Sequence, residues 1–160
     1  MTQELPVFSI VVPSYRRPGQ LAACLQAIAQ LDHARERFEV IVVEDGTNTP
    51  AKAAAASFDD RLNLTLLAQS HSGPATARNS GAMRAKGKFL AFTDDDCMPT
   101  KRWLQSLAVR FDQTPDDLIG GKTINVSDDP YARTYQVILV VNVYRGSGLQ
   151  RCRWTERQSG

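Results

Sequence analysis

Cysteine is scarce: Cys24, Cys97 and Cys152 are the only three in 160 residues. They are odd in number, show no CxxC spacing and have no histidine set beside them, which excludes a disulfide framework and a zinc site and points to a reducing compartment. The two histidines, His33 and His71, do not stand near a GxSxG elbow, so serine-hydrolase chemistry is not expected. No GxGxxG occurs, and the stretch Gly81 to Lys88 fails as a phosphate loop because Phe89 stands where Ser or Thr is required. Long apolar runs are missing too. The best, Val7 to Pro13 and Val137 to Val143, fall far short of the about 20 residues that cross a bilayer. Met1 to Pro6 is polar and holds an acid, so neither a signal peptide nor a membrane span is read here. An excess of one charge is absent as well: 19 Lys+Arg stand against 17 Asp+Glu, a net +2. That balance argues against nucleic acid as the main partner.

What is present is an ordinary globular composition. Hydrophobic residues make up 42% and charged residues 22% of the chain, enough for one core and too little length for two. Val7 to Val12 is a nearly continuous β-branched run closed by Pro13, as in a strand buried on both faces. Pro18-Gly19 opens a helix whose Leu21, Cys24, Leu25 and Ile28 share one face. Phe38 to Val43 repeats the buried-strand pattern and stops at Glu44-Asp45-Gly46. An alanine-rich helix over Ala51 to Phe58, a strand over Leu62 to Leu67, and a helix over Pro74 to Ala85 ended by Gly87 follow. Phe89 to Thr93 forms the next strand, ending in Asp94-Asp95-Asp96, and Pro99 to Phe111 the next helix. Ile119 to Val126 reads as a fifth strand, and Tyr131 to Tyr144, open to either reading, is taken as a helix. From Arg145 to Gly160 periodicity is lost, so the expected organisation is one domain over 1–144 and an irregular tail over 145–160.

Strands alternating with helices indicate right-handed crossovers and a doubly wound, mainly parallel α/β sheet, in which ligands sit beyond the carboxyl ends of the strands. Three of those ends carry polar clusters: Pro13-Ser14-Tyr15-Arg16-Arg17, Glu44-Asp45-Gly46 and Asp94-Asp95-Asp96. All three are expected to face one crevice. Asp94 and Asp96, two positions apart, point the same way and suit one hard cation, Mg²⁺ or Mn²⁺, shared with a phosphate ligand. The plain alternative is a cap on the following helix, but three adjacent like charges repel unless a cation or donor offsets them. Glu44 and Asp45 suit the imide N–H of a uracil or a ribose hydroxyl, with an acidic turn as the alternative. Arg16, Arg17 and Arg78 suit a diphosphate. Arg78 is preferred because His71-Ser72-Gly73-Pro74 leads into a small-residue helix that lets a ligand approach.

Together, Ile10 to Arg17, Val40 to Gly46, Gly73 to Asn79 and Phe89 to Asp96 resemble, in order and spacing, the family 2 glycosyltransferases of the GT-A fold. The likeness covers roughly Phe8 to Gly121. It implies an inverting, metal-dependent enzyme that transfers a sugar from a nucleotide-diphosphate sugar, most commonly a UDP-sugar, to a hydroxyl acceptor, either a saccharide or a lipid-linked one. Carried over by position, Pro13 and Tyr15 would line the nucleoside pocket, Asp45 with Glu44 beside it would hold the base, and Arg78 would place the nucleotide. Asp94, Asp95 and Asp96 look like the family's DxD element. Asp96 would bind the metal most directly, with Asp94 or Asp95 reaching the ribose or the sugar, although Glu44 departs from the family's usual Asp. The general base of such enzymes comes well downstream, and the acids after Leu118, namely Asp128, Asp129 and Glu156, do not stand in the expected motif. A missing acceptor half is therefore expected, and with it the alternative of a nucleotide-sugar-binding chain that transfers nothing. The cysteine usage places the chain in the cytoplasm, free or peripheral to the membrane.

Overall fold

The computed structural model describes residues 7–46, 50–114, 119–122 and 137–142. Six strands form one sheet: β1 (Phe8–Ser14), β2 (Phe38–Asp45), β3 (Leu64–Gln69), β4 (Phe89–Phe92), β5 (Ile119–Lys122) and β6 (Val137–Asn142), in the order β3-β2-β1-β4-β6-β5. β1 pairs in parallel with β2 and β4, and β2 with β3. β6 runs antiparallel to both β4 and β5. Strand order therefore reverses between β1 and β4, and such a switch point opens a crevice.

Four α-helices flank the sheet: α1 (Pro18–Ala29), α2 (Ala51–Ala56), α3 (Pro74–Arg84) and α4 (Trp103–Gln113). Alternation along the strands divides the core into two layers. Ile10, Val12, Val40, Val42 and Ala91 meet Leu21, Leu25 and Ile28 of α1 and Leu104, Leu107 and Phe111 of α4. Val11, Ile41, Val43, Leu90 and Phe92 meet α3 through Ala77. Helices on both faces make this the doubly wound sheet expected from the sequence. Pro stands in the first turn of α1 and of α3, where its missing N–H costs nothing.

α3 lies close on the sheet because Gly81 has no side chain: a Cβ there would overlap Val11 Cγ1. The turn after α3 is as tight, since a Cβ on Gly87 would stand 2.7 Å from the backbone of Phe8 and Ser9. A buried acid anchors the same turn. Glu39 accepts from Ser9 Oγ and from the Lys86 N–H, both at 2.6 Å, and Ser9 Oγ accepts from the Gly87 N–H at 2.8 Å.

One element differs from expectation. Within the stretch read as a helix, Tyr131 to Tyr144, residues Val137–Asn142 form strand β6, and the remainder lies outside the described residues. Periodicity does not separate a short buried helix from a buried strand. The β-branched run Val137-Ile138-Leu139-Val140-Val141 is stiff at χ1 and suits the pleat, and an open β4 edge was there to receive it. β5 occupies Ile119–Lys122 of the fifth strand expected to Val126, and the tail over 145–160 lies outside the described residues. A single 3₁₀ turn over Arg35–Arg37 leads into β2. No helix among the described residues is long and apolar enough to cross a membrane.

Candidate functional site

The carboxyl ends of β1, β2 and β4 and the amino end of α3 enclose a cleft of about 420 Å³, where the topology calls for one. Pro13, Ser14, Tyr15 and Arg17 reach it from β1, Asp45 from β2, His71, Pro74 and Arg78 from the β3–α3 segment, and Asp94, Asp95 and Asp96 from β4. Four carboxylates thus face two guanidinium groups.

Asp45 is nearly buried, at 3% exposure, and is held by three hydrogen-bond donors with a histidine beside them. Gln69 Nε2 (2.8 Å) and the Ser72 N–H (2.9 Å) reach Oδ1, and the Gly73 N–H (2.8 Å) and His71 Nδ1 (2.9 Å) reach Oδ2. Gln69 is oriented in turn by Ser80 Oγ, which donates to its Oε1 at 2.6 Å. Burial pushes the Asp45 carboxyl upward in pKa, but the bonds from Gln69, Ser72 and Gly73 and the nearby His71 outweigh it and hold it below the usual carboxylate value. Gly73 turns the chain from this cradle straight into α3: its φ of 89° is a conformation that side-chain-bearing residues rarely adopt.

An aromatic wall stands beside it. His71 stacks on Tyr15 with ring centroids 4.2 Å apart and planes 21° from parallel. The Arg16 guanidinium lies 5.2 Å from the Tyr15 ring centre. The chain turns sharply there, since Arg16 has φ 54°, in the left-handed region.

At the end of β4 each acid has a protein partner. Arg78 Nη2 donates to Asp94 Oδ1 in a short contact. Ser14 Oγ donates to Asp95 Oδ2 at 2.8 Å. Arg17 Nη1 lies 3.8 Å from Asp95 and 3.6 Å from Asp96. Burial raises the Asp95 pKa above the ordinary carboxylate value, opposed by Ser14 and Arg17 and reinforced by Asp96 and Asp94. Two thiols back the loop: Cys24 Sγ bonds to Asp94 O at 3.6 Å and Cys97 Sγ to Asp96 Oδ1 at 3.7 Å. Burial and the neighbouring acids push both thiols upward in pKa.

Of the residues singled out in the sequence, the structure brings Pro13, Tyr15, Arg17, Asp45, Arg78, Asp94, Asp95 and Asp96 together at the cleft. Arg16 and Glu44 are not among the lining residues. Glu44 is 1% exposed, and as Asp45's neighbour on a strand it points to the opposite face. There its Oε2 accepts the Ala51 N–H at 3.0 Å, at the start of α2, and its Oε1 the Arg16 N–H at 3.4 Å. Ser14, His71 and Pro74 line the cleft without having been singled out as site residues. Ser14 lies inside the first polar cluster and His71 opens the segment containing Arg78, so adjacency to the quoted motifs was the available signal.

A sequence model of glycosyl transferase family 2 matches residues 9–157. The chain belongs to glycosyl transferase family 2. Within it, the chain is 33% identical to the glycosyltransferase AglE of Haloferax volcanii over 124 residues, covering 76% of this chain and 40% of AglE. Among solved structures, it is similar to Staphylococcus aureus TarS 1–349 in complex with UDP-GlcNAc, at 29% identity and TM-score 0.67, over 77% of this chain and 36% of that one. The mannosyltransferase PcManGT of Pyrobaculum calidifontis, in complex with GDP-Man and Mn²⁺, matches at 26% identity and TM-score 0.56, over 63% and 33%. The chain therefore spans less than half the length of each of these proteins.

Proposed function

We propose that the cleft binds the nucleotide-diphosphate sugar, a UDP-sugar, of an inverting glycosyltransferase that works with a divalent cation and a hydroxyl acceptor. The observation that carries this reading is the convergence of an aromatic wall, two arginines and the Asp94-Asp95-Asp96 loop on one cleft at the switch point of the sheet. The TarS complex with UDP-GlcNAc and the PcManGT complex with GDP-Man support the class of ligand. In this reading Pro13 and Tyr15 line the nucleoside pocket and Asp45 serves the base. Arg17 and Arg78 serve the diphosphate, with Arg16 above Tyr15, and Asp94 or Asp95 reaches the ribose or sugar. Glu44 acts behind Asp45 by tying the β1 turn to α2.

Charge argues for the cation. Four carboxylates against two guanidinium groups leave the cleft acidic, and a diphosphate enters such a site only with a cation between. The donor set fits: Asp96 and Asp94 are hard oxygen ligands with side chains 38% and 35% exposed. No group of three metal-ligating side chains stands ready among the described residues, so phosphate oxygens and water would complete the shell, as Mg²⁺ and Mn²⁺ favour. When bound, the cation supplies a Lewis acid against the negative charge of the leaving diphosphate.

A second reading, donor binding without transfer, is favoured by one observation. Every cleft carboxylate already faces a protein donor or cation, which leaves none free as the general base that an acceptor hydroxyl needs. Calorimetric titration of UDP with and without Mn²⁺, set against GDP and repeated with Asp96→Ala, tests the donor reading. Mn²⁺-dependent UDP binding that Asp96→Ala abolishes is the expected result, and absence of any nucleotide binding would refute it. Acceptor-dependent product rather than slow donor hydrolysis would remove the second reading.

A further inference from the structure

The Asp45 carboxylate is crowded before any ligand arrives. It offers about four lone-pair sites; Gln69, Ser72 and Gly73 donate to three, and His71 Nδ1 stands 2.9 Å from Oδ2. The three donors are fixed in place: two are backbone N–H groups of the turn before α3, and Gln69 is clamped by Ser80. His71 is the exception, with a side chain 58% exposed to solvent. Its Nδ1 also faces the Asp45 carbonyl oxygen at 3.1 Å, and both partners are acceptors, so Nδ1 carries the hydrogen.

The same imidazole covers Tyr15, stacked at 4.2 Å. A flat, nitrogen-containing ring therefore already lies on the aromatic wall and holds a ring N–H beside the carboxylate. Those are the two contacts that a nucleobase with a ring N–H would make in this pocket under the proposed function, on which this inference rests.

We propose that His71 is a stand-in for the nucleobase, occupying the base subsite of the donor-free protein and leaving both contacts at once when the base arrives. At the carboxylate the exchange is even: Asp45 Oδ2 loses the imidazole N–H beside it and gains the imide N–H of a uracil, while the Asp45 carbonyl oxygen, which shares that N–H at 3.1 Å, turns to water and Tyr15 trades one stacked ring for another. The backbone N–H groups and Gln69 stay where they are, so a rotation of one exposed side chain suffices. The exchange also selects. A base with a ring N–H replaces the donor that leaves, whereas a cytosine, with no ring N–H, leaves the buried carboxylate short of one partner.

The subsite's self-occupancy reduces apparent affinity by the fraction of molecules in which it is closed. The test is calorimetry on the full chain with UDP, CDP and inorganic pyrophosphate, comparing wild type with His71→Ala, together with NMR of the histidine ring signals. His71→Ala is expected to bind UDP roughly three- to ten-fold tighter, the scale of one net hydrogen bond, with pyrophosphate binding unchanged and UDP preferred to CDP. The chain has two histidines, so the signal missing in His71→Ala identifies His71. In wild type that signal is expected to lose the ring-current shift from Tyr15 as UDP saturates. Equal or weaker UDP binding by His71→Ala, an equal tightening for pyrophosphate, or a His71 signal that stays unmoved would each overturn the stand-in while leaving nucleotide binding intact. UDP binding by neither protein would overturn the nucleotide reading itself, and the stand-in with it.

Discussion

Asp45 shows how much one carboxylate holds together. It ties the end of β2 to the turn before α3 through two backbone N–H groups and to β3 through Gln69. Replacing it with Asn puts an amide N–H₂ against one of those donors. Asp45→Asn is expected to lower stability by about 1–3 kcal/mol, read from urea midpoints. The sign with pH follows from linkage. The folded-state pKa of Asp45 lies below its unfolded value, so its stabilisation is present above the ordinary carboxylate pKa and fades as pH falls through the lowered value. Asp95 acts in the opposite sense, its raised pKa favouring the folded state at low pH and losing that effect as pH rises through the raised value. The acid limb of a stability profile should therefore be shallower in Asp45→Asn than in wild type. A limb of unchanged slope would show that Asp45 does not carry it. This is also the scale at which the sequence is least readable. Glu44 and Asp45 are neighbours of similar chemistry, and only strand alternation sends one to α2 and the other to the cleft. The pairing of Tyr15 with His71 joins the end of β1 to the turn before α3, a contact that no local spacing encodes.

Elements were far more legible. Buried apolar runs and helices opened by proline mark β1, β2, β4, α1 and α3 with boundaries within a few residues, because those signals are local. β6 was not legible in the same way: its five apolar residues before Asn142 fit a strand or a buried helix, and the unfilled edge of β4 decided between them. The closeness of α3 to the sheet, by contrast, rests on single atoms. Gly81→Ala places a methyl on Val11, and the expected cost is about 1–3 kcal/mol as α3 is pushed outward. Gly87→Ala meets backbone at 2.7 Å, which cannot yield as a side chain does, so its loss should exceed that of Gly81→Ala. Thermal melts of the two variants check the ranking, and a reversed order would show that the α3–β4 turn relaxes more easily than the helix contact.

For the molecule as a whole, the fold class and the crevice followed from the β-α alternation, while the balance of charge within the crevice depended on which side chains turned inward. The thiols report on this scale. Cys24 is fully buried and Cys97 is 8% exposed, and both have raised pKa values, so neither should react with iodoacetamide at neutral pH until the chain unfolds globally. Site-resolved mass spectrometry along a urea gradient should show both sites becoming reactive together with loss of the core. Early reaction at Cys97 alone would mean that the Asp94-Asp95-Asp96 loop opens by itself.

The reversed strand has a consequence in time. β5 pairs with β6, and β6 seals the edge of β4, so β5 has no place in the sheet until β6 has been made. Among the described residues, all that line the cleft precede both, the last being Asp96. A growing chain thus completes its ligand pocket while one edge of its sheet is still bare, and a bare edge recruits other strands. A chain ended at Thr114 is expected to keep a Mn²⁺-dependent UDP site within a few-fold of full affinity and yet sediment as oligomers, whereas a monodisperse monomer would show that β4 tolerates an open edge. Under the proposed function, a donor sugar-nucleotide would find its pocket assembled while the edge of β4 still waits for β6.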